Sequence, residues 1–294
     1  MSANARLVFD IAGQVFAIGS DRPMDTIRLA AAYRAFFSTR SPDVVVEAFY
    51  DGLPRISLRD EDKVFDSEVT WSLYQTGEQN IFVLKGPTYD PNPYRLAIFD
   101  KYYRRGEIHW YIPDPDQMVD GLLPGPLEFP LFEVLMVCLL GQDKGLMVHA
   151  CGVDDDGRGY LFTGNSTHGK TTMARLWEGR ARILNDDRII VRRYDGRLWM
   201  YSTPWHGEYP VVSPDPVPLD RIFFLRHAPD NDLRSREGVA ASSTLLARCF
   251  PPFWDRQGMA FTLDFCAQVI AETPCYELGF VPEADVVDFV RCVK

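Results

Sequence analysis

Residues 164–171, GNSTHGKT, restrict what this chain can fold into more than any other stretch. They fit the spacing G-x-x-x-x-G-K-[ST] at Gly164, Gly169, Lys170 and Thr171. The flanks fit too. GYLFTG is an apolar strand pattern closing on glycine, and TTMARLWEG is a helical pattern that also closes on glycine. A strand–loop–helix of this kind points backbone N–H groups of the loop and of the helix N-terminus at an anion. Gly164, Asn165, Ser166, Thr167, His168, Gly169, Lys170, Thr171 and Thr172 are therefore the predicted nucleotide contacts. Lys170 reaches the β- and γ-phosphates, and the Thr171 hydroxyl is a predicted Mg²⁺ ligand. The competing reading is a ligand-free glycine turn, and the strand and helix on either side favour phosphate binding over it.

Asn185-Asp186-Asp187 follows fourteen residues beyond Thr171, at the end of the short apolar run RIL. Carboxylates at a strand tip beside such a loop are how phosphate-loop proteins hold their metal. Two adjacent ones permit a division of labour, one on Mg²⁺ and one as base toward an attacking hydroxyl. His149 ends the run GLMV, and DDDGRG after it reads as a tight turn, so GLMVHACGV and GYLFTG pair as a hairpin. That hairpin puts His149 either far from the turn or alongside the loop. A lone histidine in an apolar strand is more often a core residue than a functional one. In TPWHGE, a Pro/Gly-bounded loop, Glu208 is a candidate second metal carboxylate and His206 a candidate substrate contact, against a structural turn with a packed tryptophan. Arg188, Arg192 and Arg193 at strand spacing read as an exposed face, with charge stabilisation as the alternative. No zinc-ligand spacing is present.

The remaining residues set the frame. From residue 6 to about 112, short strand patterns (RLVFDI, QVFAIGS, DVVVEAFY, EVTWSLYQ, NIFVLKG, YRLAIFD, EIHWYIP) follow one another, interrupted by a helical pattern in MDTIRLAAAYRAFF. They predict a mixed, largely antiparallel β-rich domain over 1–125. PDPDQMVDGLLPGP reads as a linker. Beyond it, a helix over LEFPLFEVLMVCLLG is followed by strands alternating with helices, an α/β pattern over 126–294. A formal charge of −10 argues against nucleic acid and an anionic membrane surface as partners. Six cysteines without a CxxC pair read as reduced thiols. MSANARLVFD has no signal-peptide pattern, and the longest apolar run carries Glu133, which together predict a cytoplasmic protein.

H-x-C-G-V, a hairpin, the loop, and then DD after a short strand resemble the catalytic core of HPr kinase/phosphorylase. They also resemble the related serine kinases of bacterial peptide-modification clusters, including those acting on lasso-peptide precursors. The nucleotide half of ATP-dependent phosphoenolpyruvate carboxykinase is similar as well, and Gly169-Lys-Thr-Thr172 is nearer to its loop than to the G-K-S-E of HPr kinase. The likeness covers about 145–194 well and the rest of the C-terminal part loosely. It implies an HPr kinase/PEP carboxykinase-like P-loop core with a mixed sheet, α+β overall once the N-terminal domain is counted. It implies a phosphate-contacting role for His149 and catalytic and metal roles for the aspartates, with Asp186 handling the hydroxyl proton and Asp187 facing Mg²⁺; a homo-oligomer is favoured. Joined to the loop and TPWHGE readings, this makes His149, Lys170 and Asp186 the expected catalytic residues and Thr171, Asp187 and Glu208 the expected metal ligands. The chain departs from the family at Thr167 and His168, where many members have glycine. In place of the glycine-rich signature of the phosphorylase reaction stands YSTPWHGEYP, so neither that reaction nor HPr as substrate is expected.

The reading that follows is a Mg²⁺- and ATP-dependent kinase (ATP or another nucleoside triphosphate) acting on a serine hydroxyl of a peptide or small protein. A small-molecule kinase on the same core is the first alternative. A non-catalytic nucleotide- or peptide-binding scaffold is the second.

Overall fold

Tight two-residue turns shape both halves of the chain. Ala12-Gly13, Asp156-Gly157 and Asp195-Gly196 all take positive φ, the conformation that matches the twist of a β-hairpin and that favours glycine at its second position. The computed structural model describes residues 6–86, 93–112, 118, 120–165 and 168–293. It divides into two compact units, Met1–Leu139 and Leu140–Lys294, where the sequence reading divides the chain at 125/126.

In the first unit β1 (Leu7–Ile11), β2 (Gln14–Ser20), β3 (Val44–Phe49), β4 (Lys63–Asp66), β5 (Trp71–Thr76), β6 (Gln79–Leu84), β7 (Arg95–Asp100) and β8 (Arg105–Trp110) build one sheet. Its order is β1-β2-β3-β8-β7-β6-β5-β4. Only β2–β3 and β3–β8 are parallel, so the sheet is mixed and largely antiparallel. Strict alternation in β3 buries Val44, Val46 and Ala48 on one face, the period-2 signature of a strand. Arg95 is fully buried: it lies 4.4 Å over the Trp110 ring and donates to the carbonyls of Pro126 and Phe129.

MDTIRLAAAYRAFF does not form the expected α-helix. It forms two 3₁₀ turns, Met24–Thr26 and Ala31–Phe36, with Ile27 extended between them. The competing partner is Leu123, whose carbonyl accepts from Arg28 and whose N–H donates to Thr26, both at 2.8 Å. Those bonds take backbone groups that an α-helix would use internally. α1 (Leu131–Leu140) runs across the division between the units. Of the linker-like stretch 113–126, residues 113–117 and 119 lie outside the described residues.

The second unit is organised by β9 (Leu146–Asp155). Its first half pairs with β12 (Arg188–Tyr194), and its second half pairs with β10 (Arg158–Thr163) and β11 (Arg182–Asn185). From β12 the sheet continues through β13 (Arg197–Tyr201), β14 (Val217–His227), β16 (Cys275–Phe280) and β15 (Asp232–Ser235). A parallel pairing of β10 with β14 closes the circuit. The sheet is mixed, as expected.

Alternation feeds two cores. Leu146, Val148 and Ala150 of β9 join Leu161, Ile222 and Phe224 beneath α3 (Gly238–Leu246) and α4 (Arg256–Glu272). Cys151 and Val153 join Tyr160, Phe162 and Phe223 beneath α2 (Lys170–Trp177) and α5 (Asp285–Arg291). Helices thus cover both faces. The polar edge strand β15 and the strand β16 carry no clear alternating signal, and the sequence reading passes over them. No helix among the described residues is long and apolar enough to cross a membrane.

Candidate active site

β10 ends at Thr163, and the loop returns to helix at Lys170. Gly169 caps α2 with φ +88°, and a Cβ there would also sit 2.7 Å from the Phe280 ring, so both conformation and space demand glycine. Lys170, only 5% exposed, folds back over the loop and donates to the carbonyls of Gly164 at 3.1 Å and Asn165 at 3.0 Å. Burial pulls its pKa below the ordinary lysine range, against the pull of Asp187. The first-turn amides of α2 have no partner within the helix by construction. Ser166 and Thr167 lie outside the described residues. The His168 N–H donates to Asn165, and its Nδ1–H donates to the Leu225 carbonyl at 2.8 Å, turning the imidazole onto β14.

Asn185 at the end of β11 is fully buried and sets the turn that follows. Its Oδ1 accepts from the N–H groups of Asp187 and Arg188, and its Nδ2 donates to the carbonyls of Thr203 and Trp205. One side chain therefore ties the aspartate turn to the loop after β13.

The two aspartates then diverge. Asp186 is 1% exposed and accepts from the Thr171 hydroxyl at 2.9 Å, from the Gly207 N–H at 2.7 Å and from the Tyr209 N–H at 3.1 Å. Gly207 is required at its position, since a Cβ would lie 2.9 Å from the Asp186 carboxylate. The Asp187 side chain is 24% exposed, receives the His149 Nε2–H at 2.8 Å and pairs with the Arg188 guanidinium. Burial opposes ionisation of Asp187, but His149, Arg188 and Lys170 outweigh it and hold the carboxyl below its usual range.

Register decides between the two positions open to His149. Thr163 pairs with Ala150 and Arg188 with His149, so His149 stands beside the start of the loop and directly across from the aspartate turn. The Thr163 hydroxyl donates to its carbonyl at 2.9 Å. The His149 N–H donates to the Arg248 carbonyl at 2.7 Å, and its ring lies 6.2 Å from that of Phe250.

A cleft of about 320 Å³ brings together His149, Lys170, Thr171, Asp186, Asp187 and Glu208, with Gly169, Thr172 and Gly207 in its wall. Glu208 is exposed at the lip, 4.0 Å from Arg175. His206 is also exposed and donates from Nδ1 to the Gly207 carbonyl. Among the described residues no group of three or more His, Cys, Asp or Glu side chains is arranged to hold a metal ion.

Asn185 and Arg248 escape a reading of spacing. Of the two readings open to Arg188, the open face fails: its guanidinium pairs with Asp187 and stacks 4.3 Å over the Phe250 ring. Arg248 adds positive charge near Lys170, and its Nε is buried with no hydrogen-bond partner among the described residues. No motif links position 248 to position 149. The link is made by the backbone after α3 pairing with β9.

No family model matches the chain, and none of the curated proteins does. Solved structures do match, among them the HPr(Ser) kinase/phosphatase from Coxiella burnetii, at 11% identity over 49% of this chain and 90% of that one, with a TM-score of 0.29. A likeness of that size carries no argument about fold or activity.

Proposed function

We propose that the unit Leu140–Lys294 is the catalytic part of a phosphotransferase that moves the γ-phosphoryl group of ATP, or another nucleoside triphosphate, to a serine hydroxyl of a peptide or small protein. One observation carries this reading: Lys170, Thr171, both aspartates and His149 converge on a single cleft at the N-terminus of α2. The first-turn amides of α2 and Lys170 would receive the phosphates.

The donors around Thr171 fit Mg²⁺, which takes few protein ligands and prefers hard oxygens. The Thr171 hydroxyl and the Asp186 carboxylate, already joined to each other, would hold it, with Glu208 at the lip. When bound, the ion supplies neutralisation of charge on the phosphate oxygens.

This geometry supports an exchange of the roles that the family resemblance gives the two aspartates. Asp186 is enclosed and has three donors on its carboxylate, whereas Asp187 is ionised, more open and oriented by His149. In this reading the acceptor oxygen attacks the γ-phosphorus, the bond to the β–γ bridging oxygen breaks, and the hydroxyl proton passes to Asp187. Lys170, Arg188 and Arg248 stabilise the charge that spreads over the transferring group.

Calorimetry with ATP and magnesium, run beside transfer of label from γ-labelled ATP, tests the assignment. Asp187→Asn is expected to keep nucleotide affinity and to lose transfer by about 10²–10⁴-fold, the range of a general base. Asp186→Asn is expected to weaken magnesium-dependent binding itself. Equal loss of binding in both variants contradicts the division of roles, and no uptake of any nucleotide by the unaltered protein rejects the function. Labelling of metabolite pools but not of serine peptides would move the acceptor to a small molecule.

A further inference from the structure

Two thiols meet where the turn after α3 packs against α4. The Sγ of Cys249, in the turn that ends α3, lies 3.9 Å from the Sγ of Cys266 in the middle of α4. Cys266 is buried and Cys249 is partly exposed. Cys249 is flanked by the residues that pair with β9 at the site: Arg248 accepts from the His149 N–H, Val148 bridges to Cys249, and the Phe250 N–H donates to the Met147 carbonyl at 2.9 Å. Phe250 in turn carries the Arg188 guanidinium on its ring.

We propose that Cys249 and Cys266 form a reversible disulfide under peroxide, and that the bridge distorts the 248–250 segment which braces His149 and Arg188. The step balances with hydrogen peroxide as oxidant. The Cys249 thiolate attacks one peroxide oxygen, giving a sulfenic acid and releasing water once the leaving hydroxide takes a proton. The Cys266 sulfur then displaces the sulfenic hydroxyl, and a second water leaves. Two thiols lose two electrons and two protons, and one peroxide becomes two waters.

To bond, the sulfurs must close from 3.9 Å to about 2.0 Å. Cys266 is held in the interior of a seventeen-residue helix, whereas Cys249 follows a single turn secured by Leu245 and Leu246 carbonyls. The movement therefore falls on 248–250. Its hydrogen bond with Cys266, and burial after it, push the Cys249 thiol up, so the pair responds to sustained exposure to oxidant rather than to a brief pulse.

The experiment uses the full chain carrying Cys292→Ser, which removes the exposed thiol as a source of cross-linking between molecules. After peroxide treatment, peptide mass spectrometry should find a 249–266 linkage lighter by two hydrogens. Hydrogen exchange at His149 and Phe250 should quicken and return to its starting rate on reduction with dithiothreitol. Cys266→Ser should abolish both changes. Absence of the linkage, or a linkage that leaves exchange at His149 and Phe250 unchanged, overturns the proposal. Neither readout depends on nucleotide chemistry, so it can fail or hold apart from the kinase reading. Loss of phosphotransfer on oxidation is the further effect expected where that reading holds.

Discussion

Asp186 and Asp187 are neighbours in sequence with different surroundings. Asp187 is held below the ordinary aspartate range, and the sign of the resulting linkage is fixed. A carboxyl whose folded pKa is depressed contributes stability that is fully present above its unfolded value, about 3.9, and lost as pH falls through the lower folded value. Urea titrations should therefore show the advantage of the parent over Asp187→Asn constant near neutrality and shrinking in strong acid. An advantage that grows on acidification would contradict the ion pairing with His149 and Arg188. At Lys170 the expectation concerns binding. Lys170→Ala should lose nucleotide affinity and turnover together, read by calorimetry and by label transfer, because its ammonium bridges two loop carbonyls where the phosphates would lie.

At the scale of elements, two glycines and one asparagine hold the site. Gly169→Ala forces a Cβ into left-handed backbone at a cost of roughly 1–2 kcal/mol before the contact with Phe280 is counted. Asn185→Ala strips four hydrogen bonds from two loops at once, and each buried group left without a partner costs about 1–3 kcal/mol. Thermal melts of the two variants should both fall below the parent. For Asn185→Ala, faster hydrogen exchange at Asp187 and Arg188 should accompany the fall. The strand–loop–helix around Lys170 was legible in sequence because glycine, lysine and threonine at fixed spacing answer to local chemistry. The helix expected near residue 30 was not, because the competing bonds come from Leu123, remote in sequence. His149 falls between these cases: its chemistry was visible, but its position waited on the register of β9 against β10 and β12.

For the whole molecule, two units imply two unfolding events. Calorimetric scans should resolve separate transitions for Met1–Leu139 and Leu140–Lys294, and only the second should rise when ATP and magnesium are added. At a hundred times the dissociation constant the shift corresponds to about 2.7 kcal/mol. A shift of both transitions together would show that the two units unfold as one. Arg248 and Phe250 mark the limit of what sequence could tell, since they enter the site only because the chain after α3 pairs with β9.

β9 also leaves the chain no spare reading frame. Leu146, Val148 and Ala150 feed the packing under α3 and α4, and Cys151 and Val153 feed the packing under α2 and α5. One residue inserted after Ala150 would invert that allocation for every position up to Asp155. This strand tolerates exchange of side chains and no change in count.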